Sequence, residues 1–257
     1  MSDAKHDPRS VSELFDAAFL SDNDAAWDAI AALHWRGSKE VLDRALALIH
    51  SDVATVRGRG ADILSQLGIP ERTFPDECFC AVLPLLADEA QSVVFDAIIA
   101  LQHIDDLRAA SHIIPFADHC DDNIRYAVAF ALGAVETLEA TATLLALTTD
   151  HDADVRNWAT FGLAQQRDAD TDQIREALAA RLADDDPDVS YEAIIGLGRR
   201  RDRRAVGFLK TMLHNDPEDV AAREAAEMLL GIEKSGEKTI DELLGALQRL
   251  QRWGNVR

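Results

Sequence analysis

A pattern of apolar residues with helical spacing recurs along the chain. In each copy, a Val or Ile is followed four positions later by a small residue or Val, and eight positions later by Leu. Positions i, i+4 and i+8 lie along one stripe of an α-helix, so each copy predicts an amphipathic helix that buries this stripe. The residues that open the copies are Val56, Val93, Ile124, Val155, Val189 and, in a looser copy, Val220.

Other amphipathic segments alternate with these helices and are predicted as the first helices of hairpins. From Val93 onward, successive copies are 31 to 34 residues apart, the length of two short helices and two tight turns. A hairpin this short cannot bury its apolar face alone, so the hairpins must stack into a superhelix with an extended concave side. The predicted first helices are Val41 to Ile49, Cys78 to Leu86, Leu107 to Ala117, Leu138 to Leu147, Ile174 to Leu182 and Arg204 to Leu213.

The pattern D-x-D-V-R-x-x-A-x-x-x-L at Asp152–Leu163 resembles HEAT repeats, in particular the short repeats of phycobilin lyase subunits and of many bacterial scaffold proteins. The resemblance covers about Leu14 to Leu230 and weakens toward both ends. It implies an all-α fold, a right-handed α-solenoid of about six to seven HEAT-like helical hairpins with a C-terminal capping helix. In such stacks the second helices line the concave face.

The two ends of the chain are expected to differ from the central repeats because they must cap the stack. Thr239 and Glu242 have the spacing of a capping box, which predicts a final helix from Ile240 to Leu250. The polar run Glu233–Lys238 predicts a short linker, and Ser21–Asp24 is expected to open the second helix of a divergent first hairpin. The expected segments are a mobile N-terminus at residues 1–10, the repeat solenoid at residues 11–232, and the linker with capping helix at residues 233–257.

Composition and charge narrow the possible partners. The chain has 257 residues, of which 47% are hydrophobic, so it can form a continuous core. No apolar run approaches the roughly 18 residues that a membrane-spanning helix needs, and the first ten residues lack the apolar core of a secretory signal. A cytoplasmic protein with no membrane partner is expected. The net charge of -20 repels phosphate backbones, which disfavours nucleic acid and favours a basic protein partner.

The cysteines and the aspartate runs do not predict a metal or a cofactor. Three cysteines cannot all pair, and Cys78-x-Cys80 lacks the second ligand pair of a structural zinc site. The run that begins at Asp150 resembles the start of a calcium loop, but Val155 and Phe161 stand where that loop needs Gly and Glu. The run that begins at Asp168 fails in the same way.

Charged residues of the predicted turns have a structural explanation and a functional alternative. Aspartates such as Asp152, Asp186 and Asp219 suit helix N-caps, although stacked turns would also form an acidic docking edge. Three arginines follow the Val or Ile of the repeat, where HEAT families use Arg to bond an Asp in the adjoining turn. The resemblance therefore implies a structural role for these arginines, which are Arg57, Arg125 and Arg156.

Aromatic and acidic residues recur near the start of the second helices. Aromatic rings beside carboxylates suit recognition of Arg or Lys side chains through cation-π contact and charge. Interior packing is the alternative, and it is expected for Phe130 and Phe161. The candidate partner-binding residues are Tyr126, Trp158, Tyr191, Asp96 and Glu192.

One basic cluster, Arg199–Arg204, interrupts this acidic chain in a predicted turn. It suits contact with an acidic ligand or a phosphate. The alternatives are a solvated turn or a tether to the acidic surface of the same chain.

Several enzyme classes are disfavoured by the residues themselves. HEAT-repeat deoxyhypusine hydroxylases use paired His-Glu dipeptides as iron ligands, whereas none of the eight histidines precedes Glu. HEAT-like DNA glycosylases need a basic DNA-facing surface, and neither a phosphate loop nor a hydrolase or protease motif occurs. The sequence therefore favours a non-catalytic scaffold or adaptor, in a sharper version one that neutralises a basic protein such as a nuclease toxin. The alternative is an enzyme or enzyme subunit resembling phycobilin lyases, which would bind a small ligand in the groove.

Overall fold

The computed structural model describes residues 4–232 and 238–254, and within these ranges every regular element is helical. The fold is all-α and of the α-solenoid class, as the sequence predicted. Two compact units, Met1–Ala131 and Leu132–Arg257, are distinguished by their internal contacts. Residues 1–3 of the predicted N-terminus and residues 233–237 of the predicted linker lie outside the described residues.

The first unit is built from helical hairpins in chain order. Short 3-10 segments precede the first helix and follow the fifth and sixth. Asp105 interrupts the sixth helix with φ −161° and ψ 92°, so this element is two successive helices that meet at a kink. The first of them completes one hairpin and the second begins the next. The helices are α1 (Val11–Ala17), α2 (Asn23–Arg36), α3 (Lys39–Leu48), α4 (Ala54–Ser65), α5 (Pro75–Val82), α6 (Gln91–Ile113) and α7 (Asp122–Leu132).

The second unit continues the same alternation and ends in a single helix. Across both units the described residues form seven hairpins followed by that helix, in agreement with the predicted six to seven hairpins. Its helices are α8 (Leu138–Leu147), α9 (Ala153–Ala164), α10 (Asp172–Arg181), α11 (Pro187–Arg199), α12 (Val206–Asn215), α13 (Val220–Leu230) and α14 (Ile240–Gly254).

Aspartate caps fix the register of the second helices α9, α11 and α13. Asp152 accepts a hydrogen bond from the Val155 amide at 3.0 Å, and Asp186 accepts one from the Val189 amide at 3.2 Å. Both valines are fully buried, so the buried stripe begins three residues after the cap. In α13 the cap is Asp219, and the same rule gives Ala222 as the first buried residue.

The looser copy at Val220 was therefore predicted in the wrong register. Val220 is 78% exposed, whereas Ala222 and Ala226 are buried. The capping aspartate, and not the branched residue that follows it, determines which face of α13 points into the core.

The predicted apolar stripe lies in the core in the central repeats. The second helices contribute fully buried residues such as Val155, Ala159 and Leu163 of α9. Small residues allow adjacent helices to approach closely. At Gly196 an added Cβ would lie 2.6 Å from the Cβ of Ala164, so this position of α11 accommodates only hydrogen.

Two arginines of the repeat link consecutive turns, which confirms their predicted structural role. Arg57 donates from Nε and Nη2 to the two carboxylate oxygens of Asp88, each at 2.7 Å. Arg156 donates from Nη2 to Asp184 Oδ1 at 2.8 Å. Each guanidinium also donates to a carbonyl of the turn before its own helix. Arg125 makes the same kind of carbonyl contact, at 2.9 Å.

A second pair of buried arginines was not recognised in the sequence. Arg167 donates from Nη2 to the Leu132 and Gly133 carbonyls at 2.9 and 2.8 Å. Arg200 donates from Nη2 to the Leu163 carbonyl at 2.6 Å. These carbonyls end a second helix and have no partner within it, so each arginine caps the preceding second helix.

The basic cluster is therefore mainly a tether. Arg200 is buried, and Arg204 donates to Asp202 at 2.7 Å and to Glu176 at 2.8 Å. Arg201 and Arg203 are exposed. The tether made by Arg204 and the solvated turn were the two structural alternatives, whereas the capping by Arg200 was not predicted.

The final helix packs on the last hairpin. Thr239 and Glu242 form the predicted capping box, since the Thr239 amide donates to Glu242 Oε2 at 2.9 Å. Leu243 and Leu247 of α14 are fully buried against α12 and α13. Lys210 of α12 further donates to Gln251 at 2.9 Å, so the helix is held by apolar and polar contacts.

Candidate partner-binding face

The second helices carry partly exposed side chains on the face turned away from the core. Positions i, i+3 and i+7 share one side of a helix. Contacts between neighbouring second helices then join these sides into one surface within each unit. We call the two surfaces the unit 1 face and the unit 2 face. The unit 1 face comprises Trp27, Arg59, Asp62 and Asp96, and the unit 2 face comprises Trp158, Phe161, Gln165 and Glu192.

A cation is already held on the unit 1 face. Arg59 Nη1 lies 3.2 Å from Asp62 Oδ2, one turn along α4. The guanidinium carbon of Arg59 lies 5.4 Å from the centroid of the Trp27 ring of α2. Trp27 remains 46% exposed. A ring and a carboxylate together therefore position this guanidinium at the surface.

Asp96 of α6 approaches the backbone of α4. A Cβ added at Gly58 would lie 2.1 Å from Asp96 Oδ2, so the absence of a side chain there provides the space for the carboxylate. Among the described residues, no side-chain or backbone group outside its own helix donates a hydrogen bond to Asp96. The positive charge of Arg59 lowers the pKa of Asp96 and opposes the effect of burial.

Burial raises the pKa of both carboxylates on this face. Desolvation raises the pKa of Asp62 to about 7, with a further increase from the charge of Asp96 and a smaller opposing effect of Arg59. Desolvation also raises the pKa of Asp96 to about 6, against the attraction of Arg59. Two partly dehydrated acids thus share one cation.

Tyr126 packs against the neighbouring second helix. Its ring is stacked on Phe95 with centroids 6.3 Å apart and an angle of 19° between the planes. Both rings are half-buried. Tyr126 thus combines packing with partial exposure.

The unit 2 face pairs an aromatic edge with a carboxylate. The rings of Trp158 and Phe161 meet edge to face at 5.5 Å, and both are half-buried. Gln165, the residue that follows α9, donates from Nε2 to Glu192 Oε2 of α11 at 2.5 Å. Burial raises the pKa of Glu192, the Gln165 hydrogen bond lowers it, and Asp188 raises it further. Interior packing was expected for Phe161, which is half-buried and packs against the Trp158 ring.

Tyr191 is anchored to the next hairpin. Its hydroxyl donates to Asp219 Oδ1 at 3.1 Å, and the same oxygen caps α13. Burial and then the charge of Asp219 raise the pKa of Tyr191 to about 12. The phenol therefore remains protonated, and its ring is fixed at the edge of the unit 2 face.

The structure thus distributes the five candidate residues over two surfaces. Asp96 lies beside Asp62, and Glu192 lies beside Gln165. Tyr126 stacks on Phe95, Trp158 meets Phe161, and Tyr191 donates to Asp219. All five are half-buried, and their role in partner binding stays a prediction.

Sequence reasoning missed Asp62 and Trp27. A signal for Asp62 was present, because it lies six positions after the first residue of its repeat, where the other copies are apolar. Trp27 lies in the divergent first hairpin and has no counterpart to align with. The apolar equivalents of Asp62 are Ile99, Phe130, Phe161 and Ile195.

Metal and membrane sites find no support among the described residues. Within residues 4–232 and 238–254, no group of three His, Cys, Asp or Glu side chains is arranged to hold a metal ion. Cys78 is buried, which raises its pKa to about 12, whereas Cys80 is exposed, so the two thiols do not form a site. No helix in the same ranges is both long and apolar enough to cross a membrane.

Comparisons with known proteins agree with the repeat pattern. A family model described as HEAT repeats matches residues 80–164, 141–230 and 175–253. The YibA protein of Escherichia coli is 25% identical, with a TM-score of 0.75 over 97% of this chain and 94% of that chain. An engineered protein is 18% identical, with a TM-score of 0.56 over 79% of this chain and 97% of that chain.

One enzyme complex is also similar in fold. The CpcE and CpcF complex of phycocyanin lyase from Nostoc sp. is 18% identical, with a TM-score of 0.50 over 95% of this chain and 96% of that chain. At this identity the likeness concerns the fold alone. No curated protein matches the chain.

Proposed function

Because this chain belongs to the HEAT-repeat family, we propose that it is a non-catalytic scaffold or adaptor that binds a basic protein on the exposed faces of its second helices. The observation that carries the proposal is the pairing of half-buried carboxylates with partly exposed aromatic rings on those faces. On the unit 1 face, Arg59 lies over the Trp27 ring and its charge acts on Asp96. On the unit 2 face, Glu192 lies on the same face as Trp158. These are the side chains that recognise Lys and Arg.

The charge of the whole chain supports the same partner class. A net charge of -20 attracts a basic protein over long distances and accelerates its association. The acidic turns contribute less than their number suggests, since Asp152, Asp186 and Asp219 are used as helix caps. The faces of the second helices, and not the acidic edge, are thus the proposed binding surface. A sharper form of the proposal is neutralisation of a basic protein such as a nuclease toxin.

The proposal is tested by affinity purification from the native host, followed by mass spectrometry. Three baits are compared: the full-length protein, the double variant Trp158→Ala/Glu192→Gln, and the control Phe208→Ala. Phe208 is 37% exposed on a first helix, so this control removes an aromatic ring outside both faces. The expected result is one basic protein retained by the wild type and the control, and depleted from the double variant. Equal recovery on all three baits would contradict the proposed surface, and recovery of a bound pigment or metabolite without a protein would favour a lyase-like role.

A further inference from the structure

On the unit 1 face, the negative charge of Asp62 and Asp96 exceeds the positive charge of Arg59 beside them. Asp62 and Asp96 are both partly dehydrated, and Arg59, the cation that lowers the pKa of both, is bonded to Asp62. Asp96 receives no hydrogen bond from another element within the described residues. A carboxylate in this environment gains free energy from a second cation more than an exposed carboxylate does, because less solvation remains to be lost.

Arg59 illustrates how this face holds a guanidinium. Its planar group lies over the ring of Trp27 and donates to Asp62, so an aromatic surface and a carboxylate act together. Trp27 is still half-exposed after this contact. The components that would hold a second guanidinium, an exposed ring and an acid without a donor, therefore lie within one surface.

We propose that the unit 1 face binds an arginine side chain of the basic partner, with Asp96 and Asp62 contacting the guanidinium and Trp27 contributing its ring. The inference rests on the proposed function and specifies the residue type that one face recognises. Arginine is favoured over lysine because its guanidinium is planar, is more weakly hydrated, stacks on aromatic rings and donates to two acceptors at once. Because two carboxylates lie beside one guanidinium in the free protein, the remaining negative charge is complementary to the guanidinium of the partner.

Proton linkage gives this subsite a pH dependence. A bound guanidinium favours the charged forms of Asp62 and Asp96, whose pKa values in the free protein are about 7 and about 6. Binding should therefore strengthen as the pH rises from about 5 to about 8. The other titratable groups near them are His34 of α2 and His103 of α6. Burial lowers the pKa of His34 to about 4, so His34 stays neutral from about pH 5 to about pH 8, and burial also lowers the pKa of His103. The remaining cations near this face, Arg59 and Arg72, keep their charge throughout.

The test uses two fluorescein-labelled probes of equal charge, a peptide of four Gly-Arg repeats and a peptide of four Gly-Lys repeats. Binding to the full-length protein is measured by fluorescence anisotropy at about 150 mM salt, where long-range attraction is screened. The expected result is severalfold tighter binding of the arginine probe. Equal affinity for the two probes would overturn the assignment of a guanidinium subsite.

Matched variants separate the subsite from the overall charge. Asp96→Asn should weaken the arginine probe about tenfold. Asp16→Asn changes the net charge equally at an exposed position of α1 and should change the affinity less than about twofold. Equal losses in the two variants would mean that net charge alone holds the probe. Circular dichroism melting accompanies each variant to establish that it is folded.

Gly58→Ala offers a test without any change of charge. The added Cβ would meet the far end of the Asp96 side chain, which can rotate away, so the helix should tolerate the change while the carboxylate is displaced. Weaker binding of the arginine probe at unchanged melting temperature supports the subsite, and unchanged binding contradicts it.

A basic partner that binds Asp96→Asn as well as the wild type would refute this subsite while leaving the proposed function intact. Specific arginine binding without any protein partner would refute the proposed function while leaving the subsite intact.

Discussion

Two of the places where arginine and aspartate meet in this protein have opposite electrostatic consequences. Between hairpins, the Arg156 hydrogen bond and the Asp186 amide outweigh burial and lower the pKa of Asp184. On the unit 1 face, burial prevails and raises the pKa of Asp62 and Asp96. The first arrangement satisfies its charges internally and stabilises the fold. In the second arrangement the negative charge of Asp62 and Asp96 is only partly balanced by Arg59, as expected of a surface that binds a further cation.

The largest expected effect is on the internal pairing. Arg156→Ala would leave Asp184, whose side chain is 3% exposed, with Arg181 as its remaining guanidinium partner, and would remove donors from two turn carbonyls. Because hydrogen bonds to charged groups contribute about 1.5–3 kcal/mol each, the loss of several of them should lower the free energy of unfolding by about 3–5 kcal/mol. Urea denaturation of this variant is compared with that of Arg203→Ala, an exposed arginine. If both variants unfold at the same urea concentration, the arginines between hairpins do not hold the stack.

Core residues between the hairpins should give the next largest effect. Leu132→Ala and Leu163→Ala each remove a fully buried side chain, so each should cost about 2–5 kcal/mol. Thermal melting provides the measurement, with Glu139→Ala on the surface of α8 as the control. Equal melting temperatures for all three variants would contradict the repeat register.

The internal pairing could be predicted from the sequence more fully than the exposed face. Arg57 and Arg156 recur at one repeat position, so a resemblance to HEAT repeats identified their role. The register of α13 was predicted wrongly because Val220 resembles Val189, whereas the cap at Asp219 determines which residues are buried. Periodicity indicates which faces are buried, but the cap determines where each helix begins.

The exposed face was predicted only in part because its residues do not repeat. Asp96 and Glu192 were recognised beside aromatic residues, whereas the contacts between helices depend on three-dimensional packing. The approach of Asp96 to Gly58 and the stacking of Arg59 on Trp27 join residues from different hairpins. No local pattern specifies such contacts, although an acid at the apolar position of Asp62 was a visible exception.

Loss of an aromatic residue from the unit 2 face should affect binding more than stability. Trp158→Ala should weaken binding of the basic partner by about 2 kcal/mol, because Trp and Tyr are frequent hot spots of interfaces. Tyr191→Ala should weaken it less selectively, because the phenol also bonds Asp219 and its loss disturbs the cap of α13. Titration calorimetry at two salt concentrations measures the change, and added salt should weaken binding further. If Trp158→Ala lowers the melting temperature strongly and leaves the affinity unchanged, this ring belongs to the core.

The smallest expected effect is the pH dependence of stability, and its sign distinguishes the two arrangements. Because folding raises the pKa of Asp62 from about 3.9 to about 7, the folded protein binds this proton more tightly than the unfolded chain. The charge on Asp62 therefore opposes folding. The stability that the protonated form of Asp62 contributes is lost as the pH rises from about 4 to about 7. Asp62→Asn should raise the free energy of unfolding at pH 8 by about 1–2 kcal/mol, since partial exposure reduces the full effect. At pH 4, where Asp62 is already protonated when folded, the variant and the wild type should be almost equal.

Asp184→Asn should instead lower the free energy of unfolding at pH 8. Folding lowers the pKa of Asp184, so its charge stabilises the fold above the unfolded pKa. Urea denaturation at the two pH values measures both, and a loss of stability in Asp62→Asn at pH 8 would show that Asp62 is satisfied internally like Asp184.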